Sequence, residues 1–589
     1  MKKITKIIMS MLVLSVMLVG AAGCAGKEAP AENAEAKYTA GTYEGEAQGY
    51  GGPVKVTLTV TADEITEIKV DASGETAGIG GSAAEALVEE IMSSQHLNID
   101  TVSGATMTSS AFMAALIQAL EKAGADIEAL KNAEVVEEET EKQADLDTDI
   151  VIIGAGGAGM AAAVEAKEAG KSVIIVEKMP IVGGNTNRAT GGINAAETKY
   201  QEAAGSADTK ETFFDDTFKG GKELNDKVLL QTMVDNSADA VEWLNELGAG
   251  LTRVTLSGGA TNPRIHTPED GSAVGPVVVK VLADKLEALG VEIMMETTAT
   301  KIITEDGTVK GIEAKDVNGN AFKINAKAVI VTTGGFGANS EMVESYREDL
   351  VGFSTTNHPG ALGEGIEMAL EAGADLTDIE QIQIHPTTDP ESGYMFTEGL
   401  RGDGAILVNQ EGKRFTDELL TRDVVSANIL KQTDGIAYLI TNEEMKEENA
   451  ALAGYVKKGY AVEGATLEEL AAAIGADKDA LIATMTAYKS SVAAGKDEEF
   501  GRTHLTQTLE NGPYYALKVT PGIHHTMGGL KIDKDTHVIG TDGASIKGLY
   551  AAGEVTGGVH GANRIGGNAV TDIIVFGRIA GKTASSEIE

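Results

Sequence analysis

The sequence predicts an α/β chain with a parallel sheet at its centre and a small α+β domain in front of it, on three observations. Residues 149–153 form a continuous apolar strand that runs into the turn Gly154-Ala155-Gly156-Gly157-Ala158-Gly159, an Ala-rich helix and a second apolar strand at 172–176, the order of a parallel βαβ unit. Val54, Val56, Leu58 and Val60 alternate with polar residues, and Ile65, Ile68 and Val70 follow the turn Ala62-Asp63-Glu64, which reads as a hairpin with one buried face. Between these two patterns lies VVEEETEKQADLD, whose like charges resist collapse into either neighbour.

The bulk properties narrow the function. A chain of 589 residues is long enough for several domains at roughly 100–200 residues each. Its net charge of −41 repels phosphate backbones, so nucleic acid is excluded as a partner class. Apolar residues make up 42%, enough for ordinary α/β layers. The one cysteine, Cys24, allows no intrachain disulfide, Cys-rich metal cluster or CxxCH haem attachment, and no metal site is expected; redox chemistry here requires an organic cofactor.

In chain order, Lys2, Lys3 and Lys6 precede an apolar run at 7–22 and the small residues Ala21-Ala22-Gly23 before Cys24, a pattern that resembles a bacterial lipoprotein signal. Ala21 stands where such signals usually carry Leu. The expectation is a signal peptide at 1–23, lipidation of Cys24 and a solvated stalk at 24–37, with the protein held at the extracytoplasmic face of the cell membrane by its lipid. No later run reaches about 18 apolar residues. The α+β domain is expected at 38–125, with one helix opening on a capping box Ser82-x-x-Glu85 and a second carrying Phe112, Met113, Leu116, Ile117 and Leu120. Residues 126–147 read as an acidic, partly helical linker.

The glycine turn is followed, 23 residues after Gly154, by Glu177 at the end of the second strand. A GxGxxG alone is a weak signal, but strand, turn, helix, strand and terminal acid in this order make a Rossmann-like dinucleotide fingerprint. Gly154 permits the tight turn, Gly156 lets the backbone approach a pyrophosphate, Gly159 allows close helix packing beside Ala158, and Glu177 can accept from a ribose hydroxyl. Gly183-Gly184-Asn185-Thr186 and Gly191-Gly192-Ile193-Asn194, just after the acid, favour FAD over NAD.

Four long segments, GGNTNRATGGINAA, RGDGAILVNQEGKRFTDELLTRD, GIHHTMGG and GLYAAGEVTGGVHGANRIGGNAVTDIIVFGR, resemble the flavoprotein of the soluble, flavocytochrome c type fumarate reductases. The resemblance spans about residues 148–588. It implies a Rossmann-like FAD-binding domain (148–379 and 524–589) with an inserted α+β capping or clamp domain (380–523). It also places His525, Glu554, Ala569 and Val570 near the flavin, and Asn185 and Thr186 beside the pyrophosphate, with Gly191 and Gly192 in the same loops. Membrane succinate dehydrogenases bind FAD covalently through a histidine after the fingerprint. This chain has none between His96 and His266, so noncovalent FAD is expected.

Reducing an activated C=C bond needs a hydride, a proton donor on the other face and donors that hold the carboxylates. In a molecule this acidic, a dianion requires a local cationic pocket. The resemblance implies that His385, Thr397 and Glu398 hold one carboxylate, that His524 and Arg564 clamp the other with Gly567 lining that end, and that Met395 packs beside the substrate. It implies Arg422 as proton donor, with Arg401 and Glu398 as the relay. A guanidinium is normally permanently protonated, but the carbanion formed beside a carboxylate is a strong base, and a relay glutamate can refill the donor at once. His266, His358, His504, His537 and His560 have no partner in the sequence and read as structural or exposed.

Asp100-Thr101-Val102-Ser103-Gly104-Ala105-Thr106-Met107-Thr108-Ser109 resembles the flavinylation motif of FMN-binding domains, in which a flavin transferase links FMN to a threonine. Thr106 is the expected attachment point. The sequence thus predicts an exported reductase passing electrons from a membrane-side donor through covalent FMN and FAD to fumarate. Another 2-enoate (urocanate, cinnamate, methacrylate) and an FMN electron-shuttle lipoprotein are its rivals. A ketosteroid dehydrogenase fits less well, because the pocket candidates are cationic.

Overall fold

The computed structural model describes residues 36–588 apart from 50, 76–78, 103–104, 134–142 and 257. The expected signal peptide, Cys24, most of the stalk and the centre of the acidic linker lie outside the described residues, as does the side chain of Thr106.

The first domain pairs β1 (Gly41–Gln48), β2 (Pro53–Val60) and β3 (Ile65–Asp71) in antiparallel order. The alternation read at 54–60 is borne out, since Val54, Val56, Leu58 and Val60 are buried against α1 (Gly80–Ser94) and α2 (Thr106–Lys122). The capping box is not there. The first helix is already under way at Gly80, so Ser82 lies inside it and no side chain caps its start. A helical turn α3 (Ile127–Lys131) belongs to this domain rather than to a linker, because Ile127 and Leu130 pack on its core.

The central sheet begins with β4 (Leu146–Ile153), three residues earlier than the apolar run, and continues through α4 (Gly157–Glu168) to β5 (Val173–Val176). Later strands β6 (Glu292–Met294), β7 (Thr298–Glu305), β8 (Thr308–Lys315) and β9 (Ala321–Val331) join it. A second sheet combines β10 (Ile382–Thr388), β11 (Ile406–Val408), β12 (Ala437–Asn442), β13 (Ala461–Gly464) and β14 (Tyr514–Thr526). Between its strands lie α5 (Gly399–Asp403) and α6 (Arg422–Leu430); the chain then returns to the first sheet through β15 (Ser545–Ala551) and ends its described part in α7 (Asn568–Glu587).

The central sheet runs β7-β8-β15-β9-β4-β5-β6. Its core β15-β9-β4-β5-β6 is parallel, and residues 150–153 of β4 and all of β5 are buried, as strands inside a parallel sheet are. The helix α7 lies on α4 so closely that a Cβ on Gly577 would stand 2.5 Å from the Ala158 carbonyl, and one on Gly581 2.3 Å from that of Ala162. The two sheets have separate cores. β14, a strand of the second sheet, contributes to both cores, Leu517 and Val519 to that of its own sheet and Ile523 to that of the central one, and it pairs with β12 at its start and with β10 up to Thr526. The division expected at 523/524 therefore falls inside one unbroken strand.

Candidate functional site

A cleft opens at the carboxyl ends of β4 and β5, where ligands sit in open parallel sheets. The turn after β4 forms its floor. Gly154 has φ +103°, and a Cβ there would stand 2.6 Å from the Thr332 carbonyl, so only glycine serves. Gly156 and Ala158 line the cleft at the start of α4, whose free N–H groups suit an anion. Gly159, one residue further, packs against the Gly154 carbonyl. Glu177 accepts from Ala155 N at 2.8 Å and Met179 N at 2.9 Å, and burial raises its pKa. It retains acceptor capacity at one end of the cleft.

Thr186 accepts from Gly157 N at 3.1 Å. Asn185 donates to Asn357 Oδ1 at 2.7 Å and to Glu554 Oε2 at 3.3 Å, and accepts from His358 N at 2.6 Å. Glu554, its carboxyl raised by burial, accepts from Thr526 N at 3.1 Å. Gly192 packs against Ile265 and the His266 carbonyl, whereas Gly191 has open space around it. Ala569 and Val570 stand in the first turn of α7 behind the N-cap Gly567. His525 is buried, and its Nδ1, Thr333 Oγ1 and His358 Nε2 are buried without a hydrogen-bond partner. A glycine-floored cleft with a buried acid at one end and unmet polar atoms along it fits a dinucleotide such as FAD.

Beyond Glu554 the two sheets meet, and β10, α5, α6 and β14 bring cations together. Glu398 is the hub: its Oε1 accepts from Arg401 Nη2 at 2.7 Å, and its Oε2 accepts from Arg422 Nη2 at 2.7 Å and Nε at 3.1 Å. Burial raises its carboxyl, but the charges of Arg422 and Arg401 outweigh burial and hold the pKa at about 2. Arg422, the first residue of α6, also donates from Nη1 to Gln383 Oε1 at 3.0 Å. Arg564 donates to the Ile565 carbonyl at 3.2 Å, and its Nε is buried without a partner. Burial and the nearby Arg422 push it down to about 9.

The rings of His385 and His524 meet edge to face, centroids 5.1 Å apart. Burial, and then the surrounding arginines, hold both well below the ordinary histidine value, as they do His525. His524 Nδ1 bonds Thr356 Oγ1 at 2.8 Å, while His385 Nε2 has no partner. Thr397 is buried, its N–H donating to Tyr455 Oη at 3.1 Å. Gly567 has φ +89° and abuts Asn194. Met395 is half-buried and bridges to Thr388.

The histidines set aside in the sequence are not idle. His358 lines the cleft, His560 bonds Asp572 at 3.2 Å and packs on His525, His266 bonds Thr198, and His537 sits between Asp533 and Glu587. Gln383, Asn357 and Thr526 were missed as site residues. Thr526 stands beside His525 inside GIHHTMGG and Gln383 two places before His385; Asn357 gave no local signal.

A family of FAD binding domains matches residues 149–570, and one of FMN-binding domains matches 49–121. The NADH:fumarate oxidoreductase of Klebsiella pneumoniae is 40% identical over 94% of this chain, which spans 59% of that protein. The fumarate reductase (cytochrome) of Shewanella frigidimarina is 45% identical over 77% of this chain and 81% of its own. The urocanate reductase of Eggerthella lenta is 34% identical over 96% of both. The solved open conformation of a flavocytochrome c3 fumarate reductase superposes with a TM-score of 0.65 at 41% identity, covering 75% of this chain and 79% of that one.

The depressed histidines give a signed pH dependence. The unfolded chain protonates His524 near its ordinary value of 6.5, the folded chain only far below it. Its contribution to stability is therefore lost as pH falls below about 6.5, at about 1.4 kcal/mol per pH unit. Urea unfolding of His524→Asn should show a correspondingly shallower loss between pH 6.5 and 5.5 than the unaltered protein, and parallel curves would contradict a neutral His524.

Proposed function

The chain belongs to the FAD-binding flavoprotein family of the soluble, flavocytochrome-type fumarate reductases, and on that premise we propose that it reduces the C=C bond of fumarate or a closely related enoate. The observation that carries this reading is the convergence of Arg401, Arg422 and Arg564 with His385 and His524 around a single hub carboxylate, Glu398. Two substrate carboxylates offset the surplus charge of that pocket.

Bound FAD would supply the hydride. The protein's residues do the rest. Arg564 and His524 hold one carboxylate, the guanidinium through parallel hydrogen bonds that suit a planar anion. His385 and Thr397 hold the other, with Met395 packing beside them. Neutral imidazoles can each still donate one hydrogen bond. Arg422 gives its proton to the carbon that becomes basic, and Glu398, in hydrogen-bond contact with both Arg422 and Arg401, passes the replacement proton between them. Gln383 keeps Arg422 aimed by accepting from Nη1.

The FMN-binding domain is the electron entry in this reading, with FMN joined to Thr106 by a flavin transferase and reduced by a membrane-side donor. Export through the segment before Cys24 and lipidation of that residue would hold the enzyme on the extracytoplasmic face of the membrane. No helix among the described residues is long and apolar enough to cross one. A second reading, a urocanate-type enoate, is favoured by a relative of that activity that is collinear with nearly the whole chain; an FMN electron shuttle would leave the cationic pocket without a use.

Three outcomes follow. Arg422→Ala should cut fumarate reduction by at least about 10²-fold with FAD retained, measured with a chemically reduced dye as donor; full residual turnover would remove Arg422 as the acid. Arg564→Ala should chiefly raise KM, and unchanged kinetics would refute the clamp. When the protein is expressed with a flavin transferase, mass spectrometry should find FMN on the tryptic peptide containing Thr106, and a bare peptide would refute the tether.

A further inference from the structure

Behind the relay, the second sheet encloses a knot of charge that the proton path itself does not use. Arg414 and Arg502 face Glu418 and Asp497, all four buried, with both carboxylates wholly out of solvent. Glu418 Oε1 accepts from Arg414 Nε at 2.9 Å and Leu407 N at 3.2 Å, and its Oε2 accepts from Arg414 Nη2 at 2.9 Å and Arg502 Nη1 at 3.0 Å. Asp497 Oδ2 takes a further bond from Arg414 Nη2 at 3.1 Å. Two cations and two anions cancel. Tyr488 and Phe500 cover the Arg414 guanidinium, which leaves the group no alternative partners.

Arg401 is tied to this knot at both ends. Its Nη1 donates to the Glu418 carbonyl at 2.7 Å, and its own carbonyl accepts from Arg502 Nη2 at 2.6 Å. Its Nε has no partner, so Nη2, the atom that meets Glu398 Oε1 at 2.7 Å, points where the other two ties leave it.

We propose that Glu418 is the positioning residue of the proton relay, setting the place of the Arg401 guanidinium relative to Glu398. The proposal rests on the relay reading given above. A buried ion cluster is poor evidence of stability, because well-packed apolar side chains often do as well. What it supplies is a single geometry: the Arg414–Glu418 pair is a two-bond fork that fits one way, and the chain at 418 is fixed with it. Because the knot is neutral, it orients Arg401 without adding net charge beside Glu398.

The test uses the full-length, FAD-loaded protein with Glu418→Gln, and Arg502→Lys as a second variant that keeps the charge but loses the planar group that bonds Glu418 Oε2 and the Arg401 carbonyl together. Steady-state fumarate reduction, the solvent deuterium isotope effect on kcat, FAD content and thermal melting are read for each. A displaced relay predicts kcat down by about 10- to 100-fold, KM unchanged, a larger isotope effect because proton delivery now limits turnover, and full FAD content. A folded, FAD-containing variant with kcat and isotope effect unchanged, or with kcat and FAD content lost together, overturns the proposal. If Glu418→Gln fails to fold, Arg502→Lys decides by the same readouts. An active Arg422→Ala would overturn the relay reading itself. An inactive Arg422→Ala beside a fully active Glu418→Gln would overturn the positioning role alone.

Discussion

Three buried guanidinium groups crowd round one hub carboxylate that bonds only two of them, and the rest of the site is arranged around that imbalance. Glu398 neutralises one charge of Arg401 and Arg422 together and is held ionised by them. Arg564 receives no comparable partner; the carboxyls that act on it from further off, Glu554 and Asp572, do not stop burial and Arg422 from lowering its affinity for a proton. Charges in a low-dielectric interior are costly unless paired. The surplus is stable only because surrounding imidazoles stay neutral, and it is relieved when an anion enters. In a molecule of net charge −41, this makes the pocket a local island of positive charge, which is the feature the proposed carboxylate substrate would answer.

Rigid strands keep these charges in place. His385 and Gln383 sit on β10, paired to the same stretch of β14 that carries His524 and His525. That strand reaches from the core of the second sheet into the core of the central one, so the groups near the cofactor cleft and the second sheet share one continuous backbone. Arg422 opens α6, and Arg401 and Glu398 stand on the short turn of α5 and its N-cap. Functional groups held on regular elements are placed more accurately than groups on loops, which proton transfer across a hydrogen bond requires.

The sequence disclosed what is local. The glycine turn, Glu177 and the alternation of β2 could be read because their meaning lies within a few neighbours, whereas the arginines stood out only through the resemblance of the long segments that carry them. Gln383, Asn357 and Glu418 could not, since each acts on a residue brought beside it by folding; Gln383 and Arg422 are 39 places apart. The capping box at Ser82 was misread for a related reason: the pattern is correct, but tertiary packing of Gly80 and Ala83 starts the helix before the serine. The boundary at 523/524, which the resemblance implied, lies inside β14, because one strand runs through it from Tyr514 to Thr526.

The small domain adds one more constraint. Ile181 belongs to the loop that follows Glu177, yet it is buried in the hydrophobic cluster of the N-terminal domain. Two residues before it stands Met179 and two after it Gly183, both lining the cofactor cleft. Among the described residues, the apolar side chain that the larger unit contributes to that cluster is therefore carried by the loop that walls the cleft. An electron carrier docked on this loop is next to the dinucleotide pocket and not at the far edge of the sheet, which supports the proposed order of flow from FMN to FAD.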